Sequence, residues 1–263
     1  MTTTTYESIN VIRDGAIAIV ELDNPPLNVI TIDVGRELKA ACAEFAADED
    51  VRVVVFRSSS RGIFSGGADI SVMAQVEEQP ELLEQFSDVL DVFDRVAALP
   101  MPTICQLEGI ALGGGFEISL ACDFRIAGDD LMQIGLPEVR LGLLPGGGGT
   151  QRLPRLVGAG VATEMIMKGM RYDAQTALAK GLIHEVVPAD ELVATVEKRA
   201  ASLAAQAPRA LRHIKTLIRA AFEQPTTGVE LERELFRDLL ETQDVKEGIT
   251  AATENRRAVF TGN

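Results

Sequence analysis

Residues 109–156 read GIALGGGFEISLACDFRIAGDDLMQIGLPEVRLGLLPGGGGTQRLPRL. The apolar run Thr103 to Leu107 just before this stretch has the composition of a buried strand. A loop, a glycine run, a helix over about Gly114–Leu120 and a strand over Asp123–Ala127 are expected to follow. Strand, turn, helix and strand in that order define an α/β layout. Two glycine runs, Gly113 to Gly115 and Gly146 to Gly149, lie in the stretch, and Glu117 and Glu138 stand among apolar residues. Glycine lets a ligand approach the backbone and exposes N–H groups to it. A carboxyl in an apolar setting holds its proton to higher pH. Together they suggest a proton-transfer site beside an oxyanion-type pocket. Each run reads equally well as a tight turn, and the spacing of the two glutamates allows them to converge without requiring it.

Upstream, Tyr6–Arg13 and Ala16–Leu22 are rich in β-formers around Asp14-Gly15, a hairpin signal. Residues 1–5 read as a frayed tail. Asn24-Pro25-Pro26 breaks the second strand, and Thr31 is placed to cap a helix carrying Val34, Leu38, Ala41, Cys42 and Phe45. Val51–Phe56 is a β-branched run suited to a parallel strand, and the loop after it leads to IFSGGADI, residues 63–70. Ligands in α/β folds sit at such strand ends. Leu82, Phe86, Val89, Phe93 and Val96 form one helical stripe closed by Pro100 and Pro102. Downstream, Thr150 is expected to cap a short helix, residues 181–187 to form the last strand, and everything after Asp190 to be helical. Asp244 and Glu247 have capping-box spacing for a final helix through Arg257. The domain reading is a catalytic core over 1–200 and a helical assembly region over 201–263.

The chain has 263 residues, 46% of them hydrophobic, enough for one substantial core. Its net charge of -14 argues against nonspecific binding to nucleic acid or to an anionic membrane. Cys42, Cys105 and Cys122 are odd in number and show no CxxC spacing, so neither a disulfide framework nor a zinc site is indicated. They fit a reducing compartment. The N-terminal residues lack signal-peptide character, and no window is long and apolar enough to span a membrane, so the expectation is a cytoplasmic protein.

Rival motifs are weak. Neither glycine run reads GxxxxGK[ST], and GxGxxG with a ribose-binding acid is absent. Ser65 lies in FSGG without the G-x-S-x-G elbow, and only His184 and His213 are available as partners. Both histidines read as structural or surface residues. Arg209, Arg212, Lys215 and Arg219 read as a solvated face in preference to a phosphate contact.

In order along the chain, residues 24–28 (NPPLN), 64–70 (FSGGADI), 112–117 (LGGGFE), 122–127 (CDFRIA), 136–153 (from LPE to GGGGTQRL) and 255–262 (NRRAVFTG) make the sequence similar to the enoyl-CoA hydratase/isomerase, or crotonase, family. The resemblance implies a spiral of ββα units with C-terminal helices that build a homotrimer or a dimer of trimers. It implies that the N–H groups of Ala68 and Gly114 form an oxyanion hole for an acyl-CoA thioester. Glutamate at both acid positions is the hydratase pattern: Glu117 activates water, Glu138 protonates the α-carbon, and the Gly146 N–H positions the water. CoA is expected along Pro26, Leu27, Gly67, Asp69 and Ile70, with Arg257 and Phe260 at its phosphate and adenine across a subunit boundary. The resemblance implies no metal and no cofactor beyond the CoA of the substrate. Double-bond isomerisation or other enolate chemistry is the alternative on the same scaffold, and a non-catalytic assembly or RNA-binding role the remote one. Ser71 stands where many relatives carry lysine, and Leu136 where hydratases often carry glutamine. Residues 71–99 are expected to line the acyl pocket.

Overall fold

The computed structural model describes residues 1–75, 78–223 and 227–263. The chain opens with β1 (Thr2–Thr5), β2 (Ile9–Asp14) and β3 (Ile17–Leu22), an antiparallel meander. The expected frayed tail is therefore an edge strand, paired from Thr2↔Arg13 to Thr5↔Asn10. Its threonines are β-branched and exposed, so they gain a ladder on β2 without entering the core. The hairpin turns at Gly15, whose φ of 57° is the left-handed conformation that Asp-Gly pairs supply. Thr31 caps α1 (Ile32–Ala47) as expected, accepting the Val34 N–H.

β4 (Val53–Ser58) then joins β3 in parallel. Val53 and Val55 pack on one face of the sheet and Val54 and Phe56 on the other. Burial on both faces is why the run shows no polar alternation. α2 (Ser71–Gln75), α3 (Glu81–Val89) and α4 (Val92–Ala98) follow. The stripe read as one helix is thus broken: the Leu90 N–H bonds back to Ser87, tightening the last turn, and the Asp91 carbonyl starts the next helix. Both pieces still bury Phe86, Val89, Phe93 and Val96. Positions 76 and 77 of this segment, and 224–226 of the helical tail, lie outside the described residues.

β5 (Thr103–Leu107), β6 (Ile110–Leu112), α5 (Gly114–Ala121), β7 (Phe124–Gly128) and β8 (Gln133–Gly135) form the centre of the molecule. A 3-10 turn (Glu138–Leu141), α6 (Gly149–Lys168), β9 (Arg171–Tyr172), α7 (Ala174–Ala179) and β10 (Glu185–Val187) come next. The main sheet runs β1-β2-β3-β4-β5-β7-β10, parallel from β3 onward. A second sheet runs β6-β8-β9. Thr150 does not cap α6; Gly148 precedes it in the left-handed region with φ 93°. The last strand is shorter than predicted, because Gly181 turns the chain and only residues 185–187 pair with β7.

α8 (Leu192–Ala204) covers the outer face of the sheet, with Leu192, Val196 and Ala200 against Ile19, Val53, Val55, Ile104 and Ile126. A boundary near residue 200 falls inside this helix. α9 (Pro208–Glu223), α10 (Gly228–Leu240) and α11 (Gln243–Thr253) complete the chain. Thr242, not Asp244, caps α11, and the helix stops at Thr253 short of Arg257. Asp244 instead turns its buried carboxylate to the Thr261 and Gly262 N–H groups.

Candidate active site

Two loops meet at the start of α5. The Leu112 N–H donates to the Ser65 carbonyl at 3.0 Å, and the Ser65 N–H to the Ile110 carbonyl at 3.0 Å. This brings FSGGAD against the first glycine run. Gly67, with φ 114°, lies so close that a Cβ there would stand 3.1 Å from the Leu112 carbonyl oxygen. On the other side, the Ile30 N–H donates to the Gly67 carbonyl at 2.8 Å and the Asp69 N–H to the Ile30 carbonyl at 3.1 Å. Ala68 is thereby clamped from both sides. A Cβ on Gly114 would fall 3.4 Å from the Ala68 nitrogen. Neither the Ala68 nor the Gly114 N–H has a hydrogen-bond partner among the described residues. Two uncommitted donors side by side are what a developing oxyanion requires.

α5 is buried along its whole length. A helix apolar all round belongs in a core, so its one carboxylate, Glu117, is carried inside and is 3% exposed. Glu117 Oε1 accepts the N–H groups of Gly147 and Gly149, both at 2.8 Å. Burial, helped by the charge of Glu138, pushes its pKa up to about 7 against the pull of the Gly149 and Gly147 N–H groups. Glu138 opens the 3-10 turn beside α5: a Cβ on Gly113 would stand 3.3 Å from Glu138 Oε1. Burial raises its pKa too. Its Oε2 is buried with no partner among the described residues. The pair thus consists of an acid tethered to a distant loop and one with a buried oxygen that has no partner among the described residues, close enough for the charge of Glu138 to raise Glu117.

Gly146 is exposed, and its N–H has no partner among the described residues. A Cβ there would come 3.5 Å from Leu90 Cδ1. Phe93 and Leu136 wall the site: a Cβ on Gly147 would fall 2.5 Å from the Phe93 ring, and one on Gly149 2.9 Å from Leu136 Cδ1. Along the rim, the Gly66 N–H donates to the Leu27 carbonyl at 2.7 Å, which joins the loop bearing Pro26 and Leu27 to the one bearing Gly67, Asp69 and Ile70. Leu27 and Ile70 are exposed there at 47% and 58%. Asn28, which the sequence places in the NPPLN motif without a role of its own, fixes this rim: it is 1% exposed, donates to Ser58 Oγ at 2.7 Å and accepts the Asn24 N–H.

Arg257 and Phe260 do not join this cluster within the chain. Arg257 is exposed. Phe260 lines a groove of about 300 Å³ with residues of α9, α10 and α11, none of them a member of the acid–glycine cluster. Ser65 is fully buried and its Oγ accepts the Gly67 N–H, so it serves the loop. His184 Nδ1 accepts the Arg125 N–H, and His213 pairs with Asp238, leaving Ser65 without a base. Sequence reasoning also missed Arg152, whose guanidinium reaches the Gly147 carbonyl. Its place four residues into a helix after a glycine run gave no sign of that role.

The parallel sheet with its second small sheet, the helical tail and the acid–glycine cluster define the crotonase class of α/β fold. The chain belongs to the enoyl-CoA hydratase/isomerase family, whose model it matches over residues 13–263. It is 36% identical over 260 residues to a probable enoyl-CoA hydratase of Mycobacterium tuberculosis, covering 98% of this chain and 99% of that one. It is 36% identical over 249 residues to a short-chain-enoyl-CoA hydratase of Clostridium acetobutylicum, covering 93% and 94%. A crystal structure of an enoyl-CoA hydratase from Geobacillus kaustophilus superposes with a TM-score of 0.94 at 35% identity, covering 100% of this chain and 99% of the other. The chain is an enzyme of the crotonase family, which acts on acyl-CoA thioesters.

Proposed function

We propose that this protein hydrates trans-2-enoyl-CoA thioesters to 3-hydroxyacyl-CoA, and catalyses the reverse dehydration. The carrying observation is the pair of glutamates with raised pKa values beside the uncommitted Ala68 and Gly114 donors. The thioester oxygen accepts from both N–H groups. Water, positioned by the Gly146 N–H, gives a proton to Glu117 while its oxygen bonds to the β-carbon. The alkene electrons move onto the thioester as an enolate, whose charge the two donors hold. Glu138 then delivers a proton to the α-carbon. No metal and no cofactor other than the CoA of the substrate takes part, because the thioester and the two donors already polarise the alkene.

CoA runs along Pro26, Leu27, Gly67, Asp69 and Ile70, and Arg257 and Phe260 reach the nucleotide end from a neighbouring subunit. Exposed apolar side chains on the helical tail, among them Ile214, Ile218, Phe222, Phe236 and Ile249, support a homotrimer or a dimer of trimers. Three free, buried cysteines support a cytoplasmic setting.

The test is hydration of crotonyl-CoA and longer 2-enoyl-CoAs, followed as loss of the conjugated thioester absorbance. Turnover is expected, and no hydration at any chain length overturns the reading. Full activity of Glu117→Gln on a 3-enoyl-CoA would replace it with double-bond isomerisation.

A further inference from the structure

Glu117 is held by two N–H groups of one loop, on the peptides 146–147 and 148–149. Between them lies the peptide 147–148, whose oxygen is the Gly147 carbonyl. Arg152, at the start of α6, donates from Nη1 to that Gly147 carbonyl at 2.6 Å. Its other terminal nitrogen pairs with Asp94 of α4. The guanidinium lies close against the loop: a Cβ on Gly148 would stand 2.1 Å from Arg152 Nη1. The side chain is mostly enclosed, at 16% exposure, while that of Asp94 is 80% exposed.

We infer that Arg152 is a positioning residue for Glu117, acting through the Gly147–Gly148 peptide. The Gly147 carbonyl belongs to the peptide that links the two N–H-bearing peptides, so holding it restrains the backbone rotations that aim both flanking N–H groups at Glu117. Glycines at 147, 148 and 149 leave the backbone free to rotate, and no side chain of the loop itself prevents a peptide flip. Arg152 supplies the missing restraint with a planar fork that grips a carbonyl and a carboxylate at once, a geometry lysine does not reproduce. Its charge also helps lower the pKa of Glu117 against burial. Asp94 belongs to the helix that carries Phe93, and Phe93 abuts Gly147, so one clamp ties the acid, its loop and the pocket wall.

The kinetic arm rests on the hydratase reading; the titration arm does not. In Arg152→Lys and Arg152→Gln the glycine loop loses its restraint. The Glu117 carboxyl, followed by carbon NMR in labelled protein, is expected to titrate at higher pH than in wild type. Loss of one fixed element of the site is expected to lower kcat about 10- to 100-fold with KM for the enoyl-CoA little changed. Combined with Glu117→Gln, the Arg152 substitution is expected to add no further loss, because its effect passes through that carboxylate. Asp94→Asn, at an exposed position that folding tolerates, is expected to shift the titration in the same direction by less, and decides the matter if the Arg152 variants do not fold. An unmoved Glu117 titration in folded Arg152→Gln, or in Asp94→Asn where that variant decides, overturns the inference. So does additive loss in the double variant. A titration that moves in a protein that hydrates nothing upholds the clamp and removes only the hydratase reading.

Discussion

Gly147 donates its N–H to Glu117 Oε1 at 2.8 Å from thirty positions along the chain, so a buried acid on α5 is held by the loop that leads into α6. The bond favours the ionised carboxyl, burial opposes it, and burial wins: the pKa rises from 4.5 to about 7. Folding therefore prefers the protonated form. The associated stability is fully present below about pH 4.5 and is lost as pH rises through about 7, to a limit of about 3 kcal/mol. Glutamine at 117 keeps a carbonyl oxygen to accept both N–H groups and never ionises. Glu117→Gln is expected to melt above wild type at pH 8, with the gap closing toward pH 5. A gap in melting temperature that does not change with pH would refute this.

Glu138 contributes a like charge to the same site. Glu138→Gln removes it, so Glu117 is expected to titrate at lower pH in that variant, the opposite direction to the Arg152 variants. Hydration should fall about 10²- to 10⁴-fold, since one proton transfer loses its donor. Carbon NMR of the Glu117 carboxyl checks the first outcome and a steady-state assay the second. An upward or absent shift would mean that Glu138 does not act on Glu117 through charge.

Much of this arrangement is legible in the sequence. β-branched runs marked the parallel strands because burial on both faces removes polar alternation. Glu117 stood out because a carboxylate in an otherwise apolar helix has nowhere to go but the core. Gly67 and Gly114 came from motif resemblance, and the loop pairing around Ser65 shows why their neighbours need glycine. Other features rest on long-range partners that spacing does not encode. β1 forms because β2 offers an open edge. α3 and α4 break where the Leu90 N–H turns back to Ser87, although the apolar stripe runs on unbroken. Arg152 looked like any surface arginine, because its partners lie on a backbone carbonyl and on a helix 58 positions upstream.

The close approach of Ser65 to α5 leads to a stability prediction. A Cβ at Gly115 would stand 2.5 Å from Ser65 Cβ, 2.8 Å from its Oγ and 2.9 Å from its carbonyl oxygen. That carbonyl is pinned by the Leu112 N–H, so the backbone cannot withdraw. Gly115→Ala is expected to cost about 1–3 kcal/mol, the usual penalty of overpacking, and to part the two oxyanion donors. Gly160→Ala in α6, where a Cβ meets nothing within 4 Å, is the control and should be neutral or slightly stabilising. Urea denaturation of both variants makes the comparison. Equal midpoints would show that the loops yield without cost.

A buried carboxylate is one of the ties on the C-terminal segment. Asp244 is 4% exposed, and its two oxygens accept the N–H groups of Thr261 at 2.7 Å and Gly262 at 2.9 Å. The Asn263 oxygen in turn accepts the Gln243 and Asp244 N–H groups, which satisfies donors in the first turn of α11. Arg52 holds the Phe260 carbonyl at 3.1 Å, so the tail is tied to the sheet as well as to the helix. Asp244→Ala leaves the Thr261 and Gly262 N–H groups without their charged partner. Because the tail can fray into water, the cost is limited to about 2 kcal/mol, near that of one charge-assisted hydrogen bond. Phe260 packs against Gly248 in the groove between the last helices, and it should be released with the tail. Carboxypeptidase is expected to remove the last residues from Asp244→Ala faster than from wild type, while Asp244→Asn, which keeps one acceptor oxygen, falls between them. If the tail of Asp244→Ala is as resistant as that of wild type, Arg52 and the packing of Phe260 hold it without the carboxylate.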